Sequence, residues 1–249
     1  KTMLPSFSSV SLTMALNMVP VLAVLFDYGM VLSGPPDPVA WARIRAITGL
    51  EEAPLQREYW AHRHDYDRGA LTGVAFWHKA AAGAGTVLTP EQVEELIAAD
   101  TDLWSQINQP MLDWAQRLQH AGVRTGILSN IGDAMTDGLT KRYGWLDRFD
   151  HRTWSYALKL AKPEIAIYTA AAEGLRTPVG SILFIDDRAE NVAAARAAGM
   201  QAIQYRDHAE FEREMRERGF QELLEIGNEA AAASPASSSR APSHPAPDK

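Results

Sequence analysis

Residues 20–34 read PVLAVLFDYGMVLSG. An unbroken apolar run, Val21 to Phe26, ends in a carboxylate, Asp27, and a glycine-containing loop follows. A short continuous apolar run bounded by loop residues has the form of a strand buried on both faces, the form that strands take in a parallel sheet. A charge at the tip of such a strand is costly unless something partners it, so the reading of Asp27 decides what the rest of the chain is built to do.

Further along the chain, Val123–Asn130, Ser181–Asp186 and Gln201–Tyr205 read as short apolar strands, and HRTWSYAL, His151–Leu158, as a weaker one. Helical patterns separate them: Pro110–Ala121, with Met111, Trp114, Ala115 and Leu118 on one stripe; Asp133–Tyr143; Glu164–Gly174, with Ile165, Ile167, Tyr168 and Ala172; and Ala189–Ala198. Gly122 and Gly199 follow their helices as stops. Strands alternating with helices of this length predict βαβ units and a doubly wound parallel α/β sheet.

One interval breaks the rhythm. From Tyr28 to Gly122 the chain is far longer than the dozen or so residues a crossover needs. It is bracketed by SGPPDP and INQP and carries amphipathic helices at Val39–Thr48, Gln56–Arg68, Gly73–Ala82 and Pro90–Ala99. Thr89-Pro90-Glu91-Gln92 has the N-cap, first-position proline and third-position glutamine of a helix start. Gly69 and Thr72 stop one helix and cap the next. The expected organisation is a leader at 1–18, an α/β core at 19–34 and 109–226, a helical cap at 35–108, and an Ala/Ser/Pro-rich tail at 227–249, with leader and tail disordered.

In an open parallel sheet, ligands bind beyond the carboxyl ends of the strands. The first strand ends in Asp27, the second in Ser129-Asn130 and the fourth in Asp186-Asp187, and LAKPE places Lys162 before Pro163, at the mouth of a helix expected to begin at Pro163. Two carboxylates ~4 Å apart repel by about 4 kcal/mol at an effective dielectric near 20. Three of them converging must be protonated or share a cation, and an all-oxygen donor set suits Mg²⁺. Asp27 is then the candidate nucleophile, with Mg²⁺ and Lys162 relieving its repulsion from an incoming phosphate.

The ordered set FDYG, LSN, KP and IDD, with Asn191 one turn later, resembles the haloacid dehalogenase superfamily of hydrolases, in the branch with a helical cap between the first two core strands; YWAHRHDYDRGALTGVAFW resembles caps of its phosphatase-like members. The resemblance covers residues 20–206. It implies that Asp27 becomes an aspartyl-phosphate, that the carbonyl of Gly29 ligates Mg²⁺, and that Ser129, the amide of Asn130 and Lys162 hold phosphoryl oxygens. It further implies that Asp187 binds the metal directly, with Asp186 and Asn191 acting mostly through its waters. One departure stands out: where most phosphatases of the superfamily carry a second Asp as general acid and base, this chain has Gly29. The expected substitute is a cap residue, with His62 and His64 as candidates, or the substrate itself. The implied function is Mg²⁺-dependent hydrolysis of small phosphorylated metabolites. The rivals are a dehalogenase of small halogenated acids, which the acidic pair Asp186-Asp187 argues against, and a non-catalytic relative that binds a phosphorylated ligand or a partner protein, which only Gly29 favours.

Bulk composition narrows the field. The chain of 249 residues carries 24 Lys and Arg against 31 Asp and Glu, a net charge of −7, which disfavours a nucleic-acid groove. It has no Cys, so thiolate chemistry and cysteine zinc sites are excluded. No apolar run is long enough to span a membrane. The expected location is the cytoplasm, with the N-terminal residues a leader rather than a signal peptide and Met14 or Met18 as a natural start. Trp41, Trp60, Trp77 and Trp104 read as cap core rather than a stacking platform, and EFEREMRER, Glu210–Arg218, as a solvated helix face. Nothing in the sequence specifies an oligomeric state.

Overall fold

The structure is a computed structural model that describes residues 19–227, so most of the leader and tail expectations lie outside the described residues. Five parallel strands form one sheet in the order β3-β2-β1-β4-β5: β1 Ala23–Phe26, β2 Arg124–Ser129, β3 His151–Trp154, β4 Ile182–Asp186 and β5 Gln201–Gln204. The chain runs outward from β1 to β3, then returns to lay β4 against the other side of β1. The strand order therefore reverses between β1 and β4, the crevice where such sheets bind ligands.

Alternation explains why β1 has no polar residue. Val24 and Phe26 pack into one core layer, with Trp114, Ile127 and Phe211; Ala23 and Leu25 pack into the other, with Tyr168, Phe184 and Val192. Four helices of the insert follow β1 in chain order, before the core helix that leads into β2: α1 Pro38–Thr48, α2 Glu52–Asp67, α3 Gly73–Gly83 and α4 Pro90–Leu103. The core helices follow: α5 Gln109–His120, α6 Asp133–Arg142, the single turn α7 Ser155–Leu158, α8 Ile165–Gly174, α9 Ala189–Ala197, α10 His208–Glu217 and α11 Gln221–Glu225. Helices α5, α6 and α10 cover the Phe26 face of the sheet, and α8 and α9 the Leu25 face.

The helical insert has its own core, built on Tyr59, Phe76, Trp77 and Leu96. Its outgoing and returning segments run side by side: Ser33 and Ile107 form an antiparallel bridge, Gly34 N donates to Gln106 O at 2.7 Å, and Asp37 N to Leu103 O at 2.8 Å. At α4 the Thr89 hydroxyl accepts from Gln92 N while the Gln92 side chain accepts from Thr89 N, the reciprocal cap expected from the sequence.

Several expectations shift. HRTWSYAL is half strand and half helical turn: β3 ends at Trp154 and α7 follows. Helix α8 begins at Ile165, not Pro163, because Glu164 closes a turn first: its N–H donates to Ala161 O at 2.9 Å and its carboxylate accepts from Ala161 N at 2.9 Å. Ile165 is then on the outside, 47% exposed. Helix α2 starts earlier than expected and α4 runs on to Leu103. Trp77 is core, whereas Trp60 is 56% exposed, since Tyr59 and Arg63 occupy the inward face of α2. The polar face of α10 carries the expected one-turn pairs, Arg213 with Glu217 and Arg216 with Glu212, above buried Phe211 and Met215.

Candidate active site

Sheet register brings the acids together. Phe26 pairs with Ile185, so Asp27 and Asp186 leave the sheet side by side, and Asp27 N donates to Ile185 O at 2.8 Å. Lys162 reaches between them from the loop before α8: its Nζ lies 2.8 Å from Asp27 Oδ1 and 2.7 Å from Asp186 Oδ2. Tyr28 N also donates to Asp27 Oδ1, at 2.7 Å, so among the described residues no hydrogen bond falls on Oδ2. Asp186 is wholly buried and saturated. Arg188 N donates to Oδ1 at 2.8 Å, and the Asn191 amide to Oδ1 at 2.9 Å and Oδ2 at 3.1 Å. Asp186 and Asn191 thus hold each other and aim Lys162.

Carboxylate oxygens of Asp27, Asp186 and Asp187 lie within 4.8 Å of one another. Burial pushes the Asp27 carboxyl well above the usual range; Lys162 pulls it back, and Asp186 and Asp187 push it up further. Asp187 is raised by burial and by Asp186. Burial works against the charge on Lys162, but Asp186 and Asp27 outweigh it and the ammonium holds its proton more tightly than usual. Three acids against one cation leave the cluster short of positive charge. That deficit, with an all-oxygen donor set, fits a hard divalent cation of the Mg²⁺ kind.

Asp27, Asp187 and Lys162 form the floor of a cavity of about 490 Å³ that also includes Ser129, Asn130, Gly29 and Asn191 in its lining, and wholly buried Asp186 bonds Lys162 from outside the lining. Every catalytic, phosphate-binding and metal candidate read from the sequence of the core lies in that lining except Asp186, which bonds Lys162 beside it. Ser129 ends β2. The Asn130 side chain is committed to the Lys162 backbone, donating to Lys162 O at 2.9 Å and accepting from Lys162 N at 2.8 Å, so its own N–H is what it has left for a ligand. At Gly29 (φ −63°) an added Cβ would meet no atom within 4 Å.

The insert supplies the roof: Trp60, Arg63, His64, Asp67 and Trp104 line the cavity from above. Arg63, 7% exposed, is its hub. Nε donates to Asp67 at 2.9 and 3.2 Å, Nη1 to Asp100 at 3.2 and 3.3 Å and to the Tyr59 hydroxyl, and Nη2 to Met135 Sδ at 3.4 Å. The guanidinium also lies over the rings of Tyr59, Tyr66 and Trp104. Of the two histidines expected to matter, His64 lines the cavity, whereas His62 lies 3.7 Å from Glu58 and is not part of the lining. Arg63 and Asp67 were not singled out from sequence. The available signal is their one-turn spacing, which marks a pair but not the side of the helix it faces.

A family model described as haloacid dehalogenase-like hydrolase matches residues 22–199. A phosphoglycolate phosphatase of Xanthomonas campestris pv. campestris is 29% identical over 191 residues, 73% of this chain and 81% of that protein. Phosphatase MT3486 of Mycobacterium tuberculosis is 29% identical over 189 residues, 73% of this chain and 86% of that protein. Among solved structures, a HAD family enzyme of Bacteroides thetaiotaomicron in complex with magnesium and inorganic phosphate superposes with TM-score 0.62 at 22% identity, over 77% of this chain and 98% of that one. An L-2-haloacid dehalogenase of Xanthobacter autotrophicus with chloropropionic acid covalently bound superposes with TM-score 0.56 at 17% identity, over 83% and 86%. At these identities both show the fold alone. The matched span runs from the strand behind Asp27 past the Asp186–Asp187 pair, and the chain belongs to the haloacid dehalogenase-like hydrolases.

Proposed function

We propose that this hydrolase is a Mg²⁺-dependent phosphatase of small phosphorylated metabolites, acting through an aspartyl-phosphate on Asp27. The observation that carries the reading is the convergence of Asp27, Asp186 and Asp187 on one oxygen cluster with Lys162 between two of them. The phosphatase names of the curated relatives support it.

Asp27, Asp187 and the Gly29 carbonyl would hold the cation, with Asp186 and Asn191 on its water side. When bound, Mg²⁺ supplies the missing positive charge beside the phosphoryl oxygens and lowers the cost of an ionised Asp27. The chain's own groups do the rest. An Asp27 oxygen attacks phosphorus while the bond to the leaving alcohol oxygen breaks. Lys162, Ser129 and the amide of Asn130 hold the equatorial oxygens during the in-line transfer. Water then attacks the phosphorus of the aspartyl-phosphate, which releases phosphate and restores the carboxylate. The insert closes over the floor and limits water at the first step.

A panel of phosphate monoesters, assayed for phosphate release with Mg²⁺, with EDTA and with Asp27→Asn, tests this. Release that is lost in EDTA and in the variant is expected. Release indifferent to EDTA rejects the metal, full activity in the variant rejects the nucleophile, and halide release from 2-haloacids without phosphate release replaces the phosphatase with a dehalogenase.

A further inference from the structure

We propose that Asp67, carried by the helical insert, is the proton donor and acceptor that residue 29 does not supply. The proposal rests on the phosphatase reading above and names a further catalytic residue for it.

The space beside the nucleophile loop is open: Gly29 has no side chain, and a Cβ there would meet nothing within 4 Å. The proton must then come from elsewhere in the cavity lining. Outside the acid cluster and Lys162, its titratable members are Tyr28, Arg63, His64, Asp67 and Arg188. The two guanidiniums do not release protons at working pH. Burial pushes the Tyr28 phenol further above its already high range. His64 is exposed, while Asp67 is tied to the floor. The Ser155 hydroxyl donates to Asp67 O at 2.5 Å and accepts from Ile131 N at 2.8 Å, and Ile131 follows Ser129-Asn130 directly. One hydroxyl thus fixes the end of α2 against the loop that would hold the phosphate. Arg63 grips both carboxylate oxygens of Asp67, so the group does not swing away.

Its acidity suits the task. The charged groups facing Asp67 are Arg63 on its own helix, Asp100 from α4 and Lys162 from the core loop. Burial raises its carboxyl, Arg63 and Lys162 lower it, Asp100 raises it, and it ends pushed up to about 6. A catalytic acid that later serves as base works best near the operating pH. In the first step the Asp67 carboxyl gives its proton to the departing alcohol oxygen as that oxygen's bond to phosphorus breaks and the Asp27–phosphorus bond forms. In the second, the Asp67 carboxylate takes a proton from water as the water oxygen bonds to phosphorus and the Asp27–phosphorus bond breaks. Phosphate leaves, and both side chains are back in their starting states.

The test compares kcat/KM for phenyl phosphate, whose leaving group needs a proton, with that for p-nitrophenyl phosphate, whose leaving group does not. Asp67→Asn is expected to lower the first by about 10²–10⁴-fold and the second by less than about tenfold. The ratio is independent of how much of the variant is folded. Adding Gly29→Asp to Asp67→Asn places a carboxyl in the open space and is expected to recover the phenyl phosphate rate. In the unmutated protein the same ratio should fall about tenfold per pH unit above ~6, which decides the matter if the variant does not fold. Equal losses on both esters, no loss on either, a ratio flat with pH, or a leaving-group-dependent loss in His64→Ala overturns Asp67. Hydrolysis of p-nitrophenyl phosphate that needs Asp27 upholds the phosphatase reading even then; no phosphate release by the unmutated protein overturns both.

Discussion

Asp27 is held in a state that the fold alone would not choose. Burial raises its carboxyl, and the two neighbouring acids raise it further, so an ionised Asp27 opposes folding whenever no cation is present. Asp27→Asn is therefore expected to abolish phosphate release, by about 10⁴-fold or more, while stabilising the metal-free protein by roughly 1–2 kcal/mol in urea unfolding. Lys162 stands in the opposite position. Its ammonium is the only cation bonded to both Asp27 and Asp186 among the described residues, so Lys162→Met leaves two buried carboxylates uncompensated. About 3–5 kcal/mol of stability should go with it, measured the same way, and an unchanged midpoint would contradict the packing described above. These residues were legible because each ends an apolar run or precedes a proline, positions that sequence marks directly. Asp67 and Arg63 were not, because their importance depends on which side of α2 faces downward. That is decided by Tyr59 and Tyr66 packing into the insert core and against Met135, contacts between residues far apart in the chain.

At the scale of elements, sequence punctuation served best where a local bond does the work. The Thr89–Gln92 cap is one case, and Thr89→Ala should cost about 1 kcal/mol. The turn after α2 is the stricter one. Gly69 has φ +75°, and a Cβ there would run into Tyr156 O and the Lys159 ammonium, which donates to Gly69 O. Gly69→Ala meets both backbone strain and a clash at the seam between insert and core, and should cost roughly 2–4 kcal/mol in chemical denaturation. The elements read least well were those bounded by distant partners. β3 stops at Trp154 because Ser155 turns to bond Ile131 and Asp67, and α8 starts late because Glu164 bonds Ala161 and pairs with Arg68 from the insert. Apart from Ala161, these partners are all far away in sequence.

For the whole molecule, the acids of the cavity make stability depend on pH and, on the proposed phosphatase reading, on metal as well. Asp67 titrates near 3.8 unfolded and about 6 folded, so the folded state binds the extra proton between those values. Its contribution is present below pH 4 and is lost as the pH rises through about 6, by about 3 kcal/mol at 1.36 kcal/mol per pH unit. Asp27 and Asp187 shift in the same direction. Metal-free protein should thus lose stability between pH 4 and pH 7, a loss that Asp67→Asn shrinks. Mg²⁺ at 100 times its dissociation constant should restore about 2.7 kcal/mol at pH 7, and Asp187→Asn should abolish that gain in a thermal melt. No helix among the described residues is long and apolar enough to cross a membrane.

The paired segments at Ser33 and Ile107 carry one more consequence. Since the polypeptide departs and comes back at a single hydrogen-bonded doorway, a two-residue turn joining Gly34 to Gln106 would excise all four helices without stretching the sheet. Such a truncated molecule should keep a cooperative melt and an intact acidic floor, yet lie open to bulk water.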